Sequence, residues 1–322
     1  MKAAVYYETG SPDVFRYEEV DEPVCARDGV VIDVKAVSIE GGDTLNRLAG
    51  EMAGKPHVVG YQCAGVVSEV GPDARDRQVG ESVVCIGFHG SHAQRRAVPA
   101  ATTWTLPEGL DVERAACVPI PVGTADDCLF EFGDLQAGET VLVHAGAGGV
   151  GLAAIQLAKQ AGATVLATAS SKERLARLES FGMDHGIDYT KSDFVAEARA
   201  LTGGRGPDLV VDSVGGRTLE QSVECAAYRG RIITVGDAGR GSVVPDVSGL
   251  RANNKRLTGV FLGAEVFFNP SRVRPMIQRH LDRVLAGDLQ IVIDRTYPLA
   301  EAAEAHAYIE SRQAFGRVLL IP

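Results

Sequence analysis

The chain has 322 residues, of which 45% are hydrophobic and 23% are charged, and its formal net charge is −10. This length exceeds one ordinary core and predicts two domains, and the composition is typical of a soluble globular protein. The acidic balance argues against a general nucleic-acid or membrane-surface binder, because phosphate contacts need a basic footprint. No apolar run reaches the roughly 20 residues of a membrane span. The N-terminal MKAAVYYETGSPD lacks the apolar core of a signal peptide, so we expect a cytoplasmic protein.

The six cysteines stand at irregular intervals without a CxxC pair, a pattern that resembles neither a disulfide framework nor a zinc knuckle. In a cytoplasmic protein we expect all of them to be small buried hydrophobic residues. They are Cys25, Cys63, Cys85, Cys117, Cys128 and Cys225.

The first third of the chain is predicted to be rich in β-strands. Segments 29–39, 63–71 and 81–88 are short, rich in valine and isoleucine, and bounded by Gly, Pro or Asp. From about residue 122, strand-like runs alternate with helical patterns, which predicts βαβ units and a parallel sheet with helices on both faces. The runs are TVLVHAG, ATVLATAS, PDLVVDSVG and RIITVG, and the helical patterns cover 152–161, 172–182, 193–203 and 218–227. Further on, SRVRPMIQRHLDRVLAGDL predicts a long amphipathic helix, and the ending predicts a helix and a last strand.

A glycine-rich segment, HAGAGGVG, follows a strand-like run and opens a helical pattern. In a dinucleotide-binding loop, Gly146 would permit the tight turn, Gly148 would let backbone amides approach a pyrophosphate, and Gly151 would let helix and strand pack closely. Gly149 and Val150 would complete the helix N-terminus, whose partial positive charge favours phosphate. The alternative is a glycine-rich turn without a ligand, which the complete βαβ unit disfavours.

The end of the second strand, TASSKER at 168–174, indicates which dinucleotide is bound. NAD sites usually place an acid here to bind the ribose 2′-hydroxyl, and this strand end has none. Ser170, Ser171 and Lys172 instead offer donors and positive charge to a 2′-phosphate, and Glu173 is expected to point away. The sequence therefore predicts NADPH. The alternative is that Ser171 only caps a helix whose basic residues form a solvated face, although capping and phosphate binding are compatible.

These motifs, together with others along nearly the whole chain, resemble the medium-chain dehydrogenase/reductase superfamily, specifically its zinc-independent quinone oxidoreductase (zeta-crystallin-like) branch. IEGGDTLNRLAG is similar to the segment NxxDTYIRSG, VVGYQCAGVVSEVG to GxDxAGxVxxVG, and GSHAQRRAVPAATTWTLPEGL to GSYAEYxxVPxxxxxxLPxxL. HAGAGGVGLAAIQLAK is nearly the family signature, and FGRVLLIP resembles its closing GKVVL.

The resemblance implies an α/β protein in two domains. A GroES-like β-barrel catalytic domain would comprise 1–121 and 264–322, and a Rossmann NADPH-binding domain with a doubly wound parallel sheet would comprise 122–263. The implied activity is zinc-independent, NADPH-dependent reduction of a quinone or another activated alkene or carbonyl by direct hydride transfer. The implied partners are a small-molecule substrate and a second copy paired through the Rossmann sheet edge, with no nucleic acid or membrane.

Carried over by position, the resemblance also assigns cofactor contacts. The 2′-phosphate falls to Lys172 with Ser171, and Tyr189 in the segment IDY would also meet it. The pyrophosphate residues would be Gly148, Gly149 and Val150, and the residues against the nicotinamide end would be Val235, Gly236, Phe261 and Leu262.

The same resemblance argues against zinc. Zinc-dependent relatives carry a Gly-His-Glu segment where this chain has 60–62, Gly-Tyr-Gln, and a cysteine-rich loop where Cys85 here runs directly into FHGSHAQ. Zinc normally needs three or four ligands at defined positions. We expect surface or packing roles for the HxxH pair His89 and His92, and a structural role for His144.

Two departures from the family pattern affect the substrate end. Glu40 replaces an Asn near the nicotinamide, and Met52 replaces the Tyr that is the proposed proton donor of enoyl-thioester reductases. Glu40 has three interpretations: an acid/base group with a raised pKa, a residue that orients the cofactor, or a solvated loop residue. Asp43, Asn46 and Tyr61 lie on the same side by family analogy, so Glu40, Asp43 and Tyr61 are the candidates for substrate contact or proton relay. Tyr61 alternatively only packs against the barrel.

Three other functions compete with this one. The first is a zinc alcohol dehydrogenase, which is disfavoured because this chain lacks the zinc ligands of that class. A non-catalytic NADPH-binding protein is kept open by the departures at Glu40 and Met52. A tailoring enoyl or ketone reductase of secondary metabolism is not separable by sequence.

Overall fold

The computed structural model describes all 322 residues. The chain divides into two units, residues 1–123 with 263–322, and residues 124–262. The boundaries given by the sequence analysis, at 121/122 and 263/264, lie within two residues of these. No helix combines the length and apolar character that a bilayer crossing requires.

The secondary structure has the following bounds. The strands are β1 (Lys2–Val5), β2 (Arg16–Glu19), β3 (Gly29–Ser38), β4 (Gln62–Val70), β5 (Ser82–Ile86), β6 (Arg95–Pro99), β7 (Thr103–Thr105), β8 (Thr140–Val143), β9 (Thr164–Ala169), β10 (His185–Asp188), β11 (Leu209–Asp212), β12 (Arg231–Thr234), β13 (Arg256–Gly259), β14 (Ile293–Pro298) and β15 (Arg317–Ile321). The helices are α1 (Gly41–Ala49), α2 (Val112–Ala116), α3 (Pro119–Asp126), α4 (Gly149–Gln160), α5 (Lys172–Glu179), α6 (Phe194–Leu201), α7 (Gly216–Cys225), α8 (Leu262–Phe268), α9 (Pro270–Ala286) and α10 (Ala302–Glu310).

The unit of residues 124–262 is built on a six-stranded parallel sheet in the order β10-β9-β8-β11-β12-β13. This is the 3-2-1-4-5-6 order of the Rossmann fold, whose strand order reverses between β8 and β11. Ligands of such sheets bind outside the carboxyl ends of the strands at that reversal. The predicted Rossmann domain is therefore confirmed in its sheet.

Buried aliphatic side chains explain why the central strands were predictable and the edge strands were not. Leu142, Leu166, Val210 and Ile232 lie in one core cluster with side chains of α6 and α7. The edge strands β10 and β13 have four residues each, of which two and none are buried. Such short, half-exposed edges carry little hydrophobic signal.

The other unit is built on a seven-stranded sheet whose path runs β14-β15-β3-β4-β5-β7, with β6 also paired to β3. β14 and β15 are parallel, and the remaining pairings are antiparallel. These pairings do not close into a ring, so the sheet is an open version of the predicted GroES-like barrel. Five of the six cysteines are buried as predicted, but Cys25 is partly exposed, so the prediction was wrong for that residue.

Candidate functional site

The glycine-rich loop between β8 and α4 leaves several backbone amides available to a ligand. Gly148 is the N-cap residue of α4 and has no side chain with which to cap it. The first-turn amides of a helix have no intrahelical partner, so those of Gly149, Val150 and Gly151 are open to an anion. At α2, α5 and α6, by contrast, the side chain of the N-cap residue accepts a hydrogen bond from a first-turn amide. These N-cap residues are Asp111, Ser171 and Asp193.

The three motif glycines serve different purposes in the structure. A Cβ on Gly151 would lie 2.4 Å from the carbonyl oxygen of Ala145, and one on Gly146 would lie 2.9 Å from Leu178 Cδ1. Those two positions are therefore required by packing. A Cβ on Gly148 would meet only the Ala145 oxygen, at 3.4 Å. The fold does not need glycine at 148, whereas a closely approaching pyrophosphate would.

The end of β9 presents the predicted 2′-phosphate residues together. Ser171 caps α5 by accepting a hydrogen bond from the backbone N–H of Arg174 at 3.3 Å, and Lys172 is exposed in its first turn. Ser170 is half-buried. The backbone amide of Tyr189 donates to the Ala169 carbonyl at 3.3 Å, which places this partly exposed side chain beside the same strand end.

Glu173 is exposed in the first turn of α5, next to Lys172. Interactions of its carboxylate with its own backbone amide and with Ser171 lower the pKa of Glu173. A carboxylate in the first turn of a helix is also favoured by the helix dipole. The expectation that Glu173 points away from the 2′-phosphate residues stays a prediction.

The residues predicted at the nicotinamide end differ in exposure. Val235 follows β12, is half-buried, and donates its amide to the Asp212 carbonyl at 2.9 Å. Gly236 and Phe261 are exposed, whereas Leu262 is only 2% exposed. The Leu262 side chain therefore belongs to the interior.

Glu40 is the N-cap residue of α1 and is only 4% exposed, which excludes the solvated-loop interpretation. Its carboxylate forms a buried ion pair with Arg317 and accepts a hydrogen bond from the amide of Gln62. Burial raises the pKa of Glu40 to about 7, against the opposing effect of the Arg317 guanidinium. Gln62 in turn accepts from the Ile120 amide at 2.8 Å, so the group is fixed to its surroundings.

Asp43 and Tyr61 lie next to Glu40 in the same unit. Asp43 is fully buried and accepts backbone hydrogen bonds from Glu40 at 2.8 Å and from Tyr61 at 3.1 Å. Burial raises the pKa of Asp43 to about 7. Tyr61 is partly exposed, and its hydroxyl oxygen accepts from the Asn46 amide at 2.9 Å. Of the three candidates, only Tyr61 combines a polar group with access from outside.

Arg317 and Gln62 were not identified from the sequence as functional residues. Arg317 also donates to Ser38 Oγ, at 2.7 Å, and it lies 277 positions from Glu40 along the chain. The available signal was a cation in the closing GRVLL segment and an acid where the family has a neutral Asn. An unpaired buried acid is unfavourable, so a cationic partner was required.

The histidines do not form a metal centre. His92 is buried, and its Nε2 lies 3.0 Å from Nε2 of the equally buried His306, which gives His92 a packing role. No group of three or more His, Cys, Asp or Glu side chains is arranged to hold a metal ion.

Known proteins resemble the chain over its whole length. Residues 26–108 match the family model "Alcohol dehydrogenase GroES-like domain", and residues 149–282 match "Zinc-binding dehydrogenase". A 2-haloacrylate reductase of a Burkholderia species is 34% identical, with 100% of this chain and 99% of that protein aligned. A quinone oxidoreductase of Pseudomonas aeruginosa is 32% identical, with 97% of each aligned.

Two solved structures of quinone oxidoreductases have the same fold. That of Pseudomonas syringae pv. Tomato DC3000 superposes with a TM-score of 0.94 at 29% identity, covering 100% of this chain and 99% of the other. That of Escherichia coli, complexed with NADPH, gives a TM-score of 0.94 at 27% identity and covers 100% of both chains. The chain thus belongs to the medium-chain dehydrogenase/reductase superfamily, in its zinc-independent quinone oxidoreductase branch.

Proposed function

We propose that the protein is an NADPH-dependent oxidoreductase that reduces quinones or other activated alkenes and carbonyls by direct hydride transfer. The observation that carries this proposal is the uncapped N-terminus of α4 at the strand-order reversal. At Gly148, the fold itself leaves room for a side chain, and this room is available to a pyrophosphate. The acid-free end of β9 directs the proposal toward NADPH.

The residues present fit this cofactor. The amides of Gly149 and Val150 would bind the pyrophosphate beside Gly148. Ser171 and Lys172 would bind the 2′-phosphate, with Tyr189 against it. NADPH, when bound, supplies the hydride.

The names of the relatives suggest the substrate class. A quinone and a 2-haloacrylate both contain a carbon–carbon double bond conjugated to a carbonyl or carboxyl group. Hydride addition to such a bond places negative charge on the oxygen, which a proton or a hydrogen-bond donor must stabilise. We assign this class of substrate to the present chain.

Tyr61 is the proposed donor to that oxygen. Because Asn46 donates to the Tyr61 hydroxyl oxygen, the hydroxyl proton remains free to be donated to a substrate. Burial and the nearby Asp43 raise the pKa of Tyr61, which keeps the phenol protonated near neutral pH. Asp43 positions Tyr61 by accepting a hydrogen bond from the Tyr61 backbone amide. Glu40 is held in its ion pair with Arg317, which orients the N-terminus of α1. Water remains the alternative proton source.

The test is NADPH oxidation with a panel of quinones, 2-haloacrylates, enones and enoyl thioesters. We expect turnover on quinones or activated alkenes, and a fall of roughly 10- to 100-fold in kcat for Tyr61→Phe at unchanged NADPH affinity. Tyr228→Phe, a change at an exposed tyrosine of the other unit, is the matched control. Tight NADPH binding without turnover on any acceptor would instead support a non-catalytic NADPH-binding protein, and turnover on enoyl thioesters alone would support a tailoring enoyl reductase.

The homodimer is also proposed. The sheet ends at β13, whose outer edge is unpaired in the chain, and Val243, Val244 and Phe261 of the same unit are exposed. An unpaired edge strand, in a unit that also exposes apolar side chains, fits pairing with a second copy. Light scattering should give twice the chain mass, and Val244→Asp should shift it toward the monomer; a wild-type monomer at micromolar concentration would contradict the proposal. A cytoplasmic location remains a prediction.

A further inference from the structure

Four polar side chains form one line of hydrogen bonds under the carboxyl ends of β9, β8 and β11. They are Thr168 at the end of β9, His144 directly after β8, Asp212 at the end of β11, and Ser222 in α7. None is more than 3% exposed. Burying a polar group is unfavourable unless the group is hydrogen-bonded. Each of these buried side chains therefore needs a hydrogen-bond partner.

The direction of the hydrogen bonds is fixed by the carboxylate at one end. Ser222 donates to Asp212 Oδ2 at 2.8 Å, so its hydroxyl oxygen must accept from His144 Nε2, 3.1 Å away. His144 is therefore the Nε2–H tautomer, and its Nδ1 accepts from the Thr168 hydroxyl at 3.1 Å. The Thr168 oxygen then accepts from the Ala145 amide at 3.3 Å. Each hydrogen bond of the line runs in the same direction, from the Ala145 amide of the glycine-rich loop through Thr168, His144 and Ser222 to the accepting carboxylate of Asp212.

Neutral His144 suits this arrangement, because a protonated ring would carry a second Nδ1–H donor toward the Thr168 hydroxyl. Burial lowers the pKa of His144, against the attraction of the Asp212 charge. The ring also packs edge-on against Phe194, with centroids 4.6 Å apart, which fixes its plane.

The two ends of the line hold the two loops assigned to the cofactor. At one end, the Thr168 carbonyl accepts the Gly146 amide at 2.9 Å, so Thr168 binds two successive residues of the glycine-rich loop. At the other end, Asp212 Oδ1 accepts the amides of Val214 and Gly215 at 2.8 and 2.9 Å.

The turn held by Asp212 supports the segment assigned to the nicotinamide. The Val214 carbonyl accepts from Gly239 at 2.8 Å, and the Asp212 carbonyl accepts from Val235 at 2.9 Å. The side-chain line therefore connects the pyrophosphate loop with the 235–239 segment. It also crosses the reversal between β8 and β11, where a dinucleotide lies in this class of sheet.

We propose that Thr168, His144 and Ser222 are positioning residues that fix the glycine-rich loop relative to the 235–239 segment and thereby determine the affinity for the pyrophosphate part of NADPH. This inference rests on the proposed function. The residues act through the backbone amides that they hold and do not touch the cofactor themselves.

The test compares NADPH with a fragment that occupies only one end of the site. Ser222→Ala removes the acceptor of His144, so the dissociation constant for NADPH should rise about tenfold. That for adenosine 2′-monophosphate, which needs only the Ser171 and Lys172 region, should change by less than about twofold. Thr168→Val, nearly isosteric but without the hydroxyl, should weaken NADPH binding to a similar extent. Thr168→Ser, which keeps the hydroxyl, should retain most of the wild-type affinity for NADPH.

Thr202→Val is the matched control, because the Thr202 hydroxyl is also hydrogen-bonded within this unit, to Ala198 and Gly206, but away from the two loops. It should lower thermal stability without changing NADPH affinity. Wild-type NADPH affinity in Ser222→Ala and Thr168→Val, or an equal loss for NADPH and the fragment, would overturn the proposal.

The imidazole nitrogen NMR spectrum separates this inference from the proposed function. We expect the Nε2–H tautomer alone for His144 in the wild-type protein between about pH 6 and 8. In Ser222→Ala, which lacks the acceptor of Nε2–H, we expect a mixture of tautomers. An Nδ1–H or protonated ring would overturn the network. Failure of the wild-type protein to bind NADPH, with the tautomer as expected, would refute the proposed function and the positioning role but leave the hydrogen-bonded line intact.

Discussion

The amine of Lys172 stands exposed in the first turn of α5, beside the capping hydroxyl of Ser171 and the carboxylate of Glu173. If it binds the 2′-phosphate, Lys172→Ala should lower the ratio of NADPH to NADH affinity by about tenfold, because one charge-assisted contact is lost. Fluorescence titration with both cofactors measures the ratio. Arg177→Ala removes an equal charge in the last turn of the same helix and should leave the ratio unchanged. An unaltered ratio in Lys172→Ala would refute the 2′-phosphate assignment.

Glu40 gives a pH-dependent contribution to stability. Its pKa in the folded protein, about 7, is raised above the ordinary value of a glutamate by burial. The folded state then binds the proton more tightly than the unfolded state, so this contribution is present in acid and is lost as the pH rises through 7. Between about pH 5 and 8, the free energy of unfolding of the wild-type protein should fall by about 2 kcal/mol relative to that of Glu40→Gln. Urea unfolding at both pH values measures this difference, and parallel pH profiles would show that the pKa is not raised.

At the scale of the loop–helix junction, two glycines of one motif should respond differently to the same change. Gly148→Ala adds a methyl group to an open position, so we expect a loss of about 0.5 kcal/mol in stability but at least a tenfold loss of NADPH affinity. Gly151→Ala places its methyl group against the Ala145 carbonyl and should destabilise the protein by about 1–3 kcal/mol. Thermal unfolding and NADPH titration separate the two effects. Equal NADPH affinity in Gly148→Ala and wild type would remove the pyrophosphate from this loop.

The contact between the segment before β6 and helix α10 joins the buried side chains of His92 and His306, and it depends on a neutral His92. Burial, with the nearby Arg96, lowers the pKa of His92 to about 3. The unfolded state therefore binds the proton more tightly, and this stability is present at neutral pH and lost as the pH falls below about 6.5. Relative to His92→Gln, the wild-type protein should lose about 2 kcal/mol between pH 7 and 5. The same loss in both proteins, measured by urea unfolding, would contradict a buried, neutral His92.

Across the whole molecule, features encoded locally were predictable and features that depend on distant pairs were not. The glycine-rich loop, the end of β9 and the alternation of strands and helices are written in consecutive residues, and the sheet order follows from this rhythm and the family resemblance. The environment of Glu40 could not be predicted in this way, because its partner Arg317 is 277 positions away along the chain. The His92–His306 contact joins residues 214 positions apart.

The chain as a whole is proposed to move a hydride from C4 of NADPH to an electrophilic carbon of the substrate. The most direct measurement uses NADPH carrying deuterium on one face of C4, with the most rapidly reduced alkene of the panel, and locates the label by NMR and mass spectrometry. Direct transfer predicts one deuterium on the reduced carbon for one face of labelling and none for the other. A product whose new hydrogen at that carbon comes from water, or no oxidation of NADPH with any acceptor, would contradict the account.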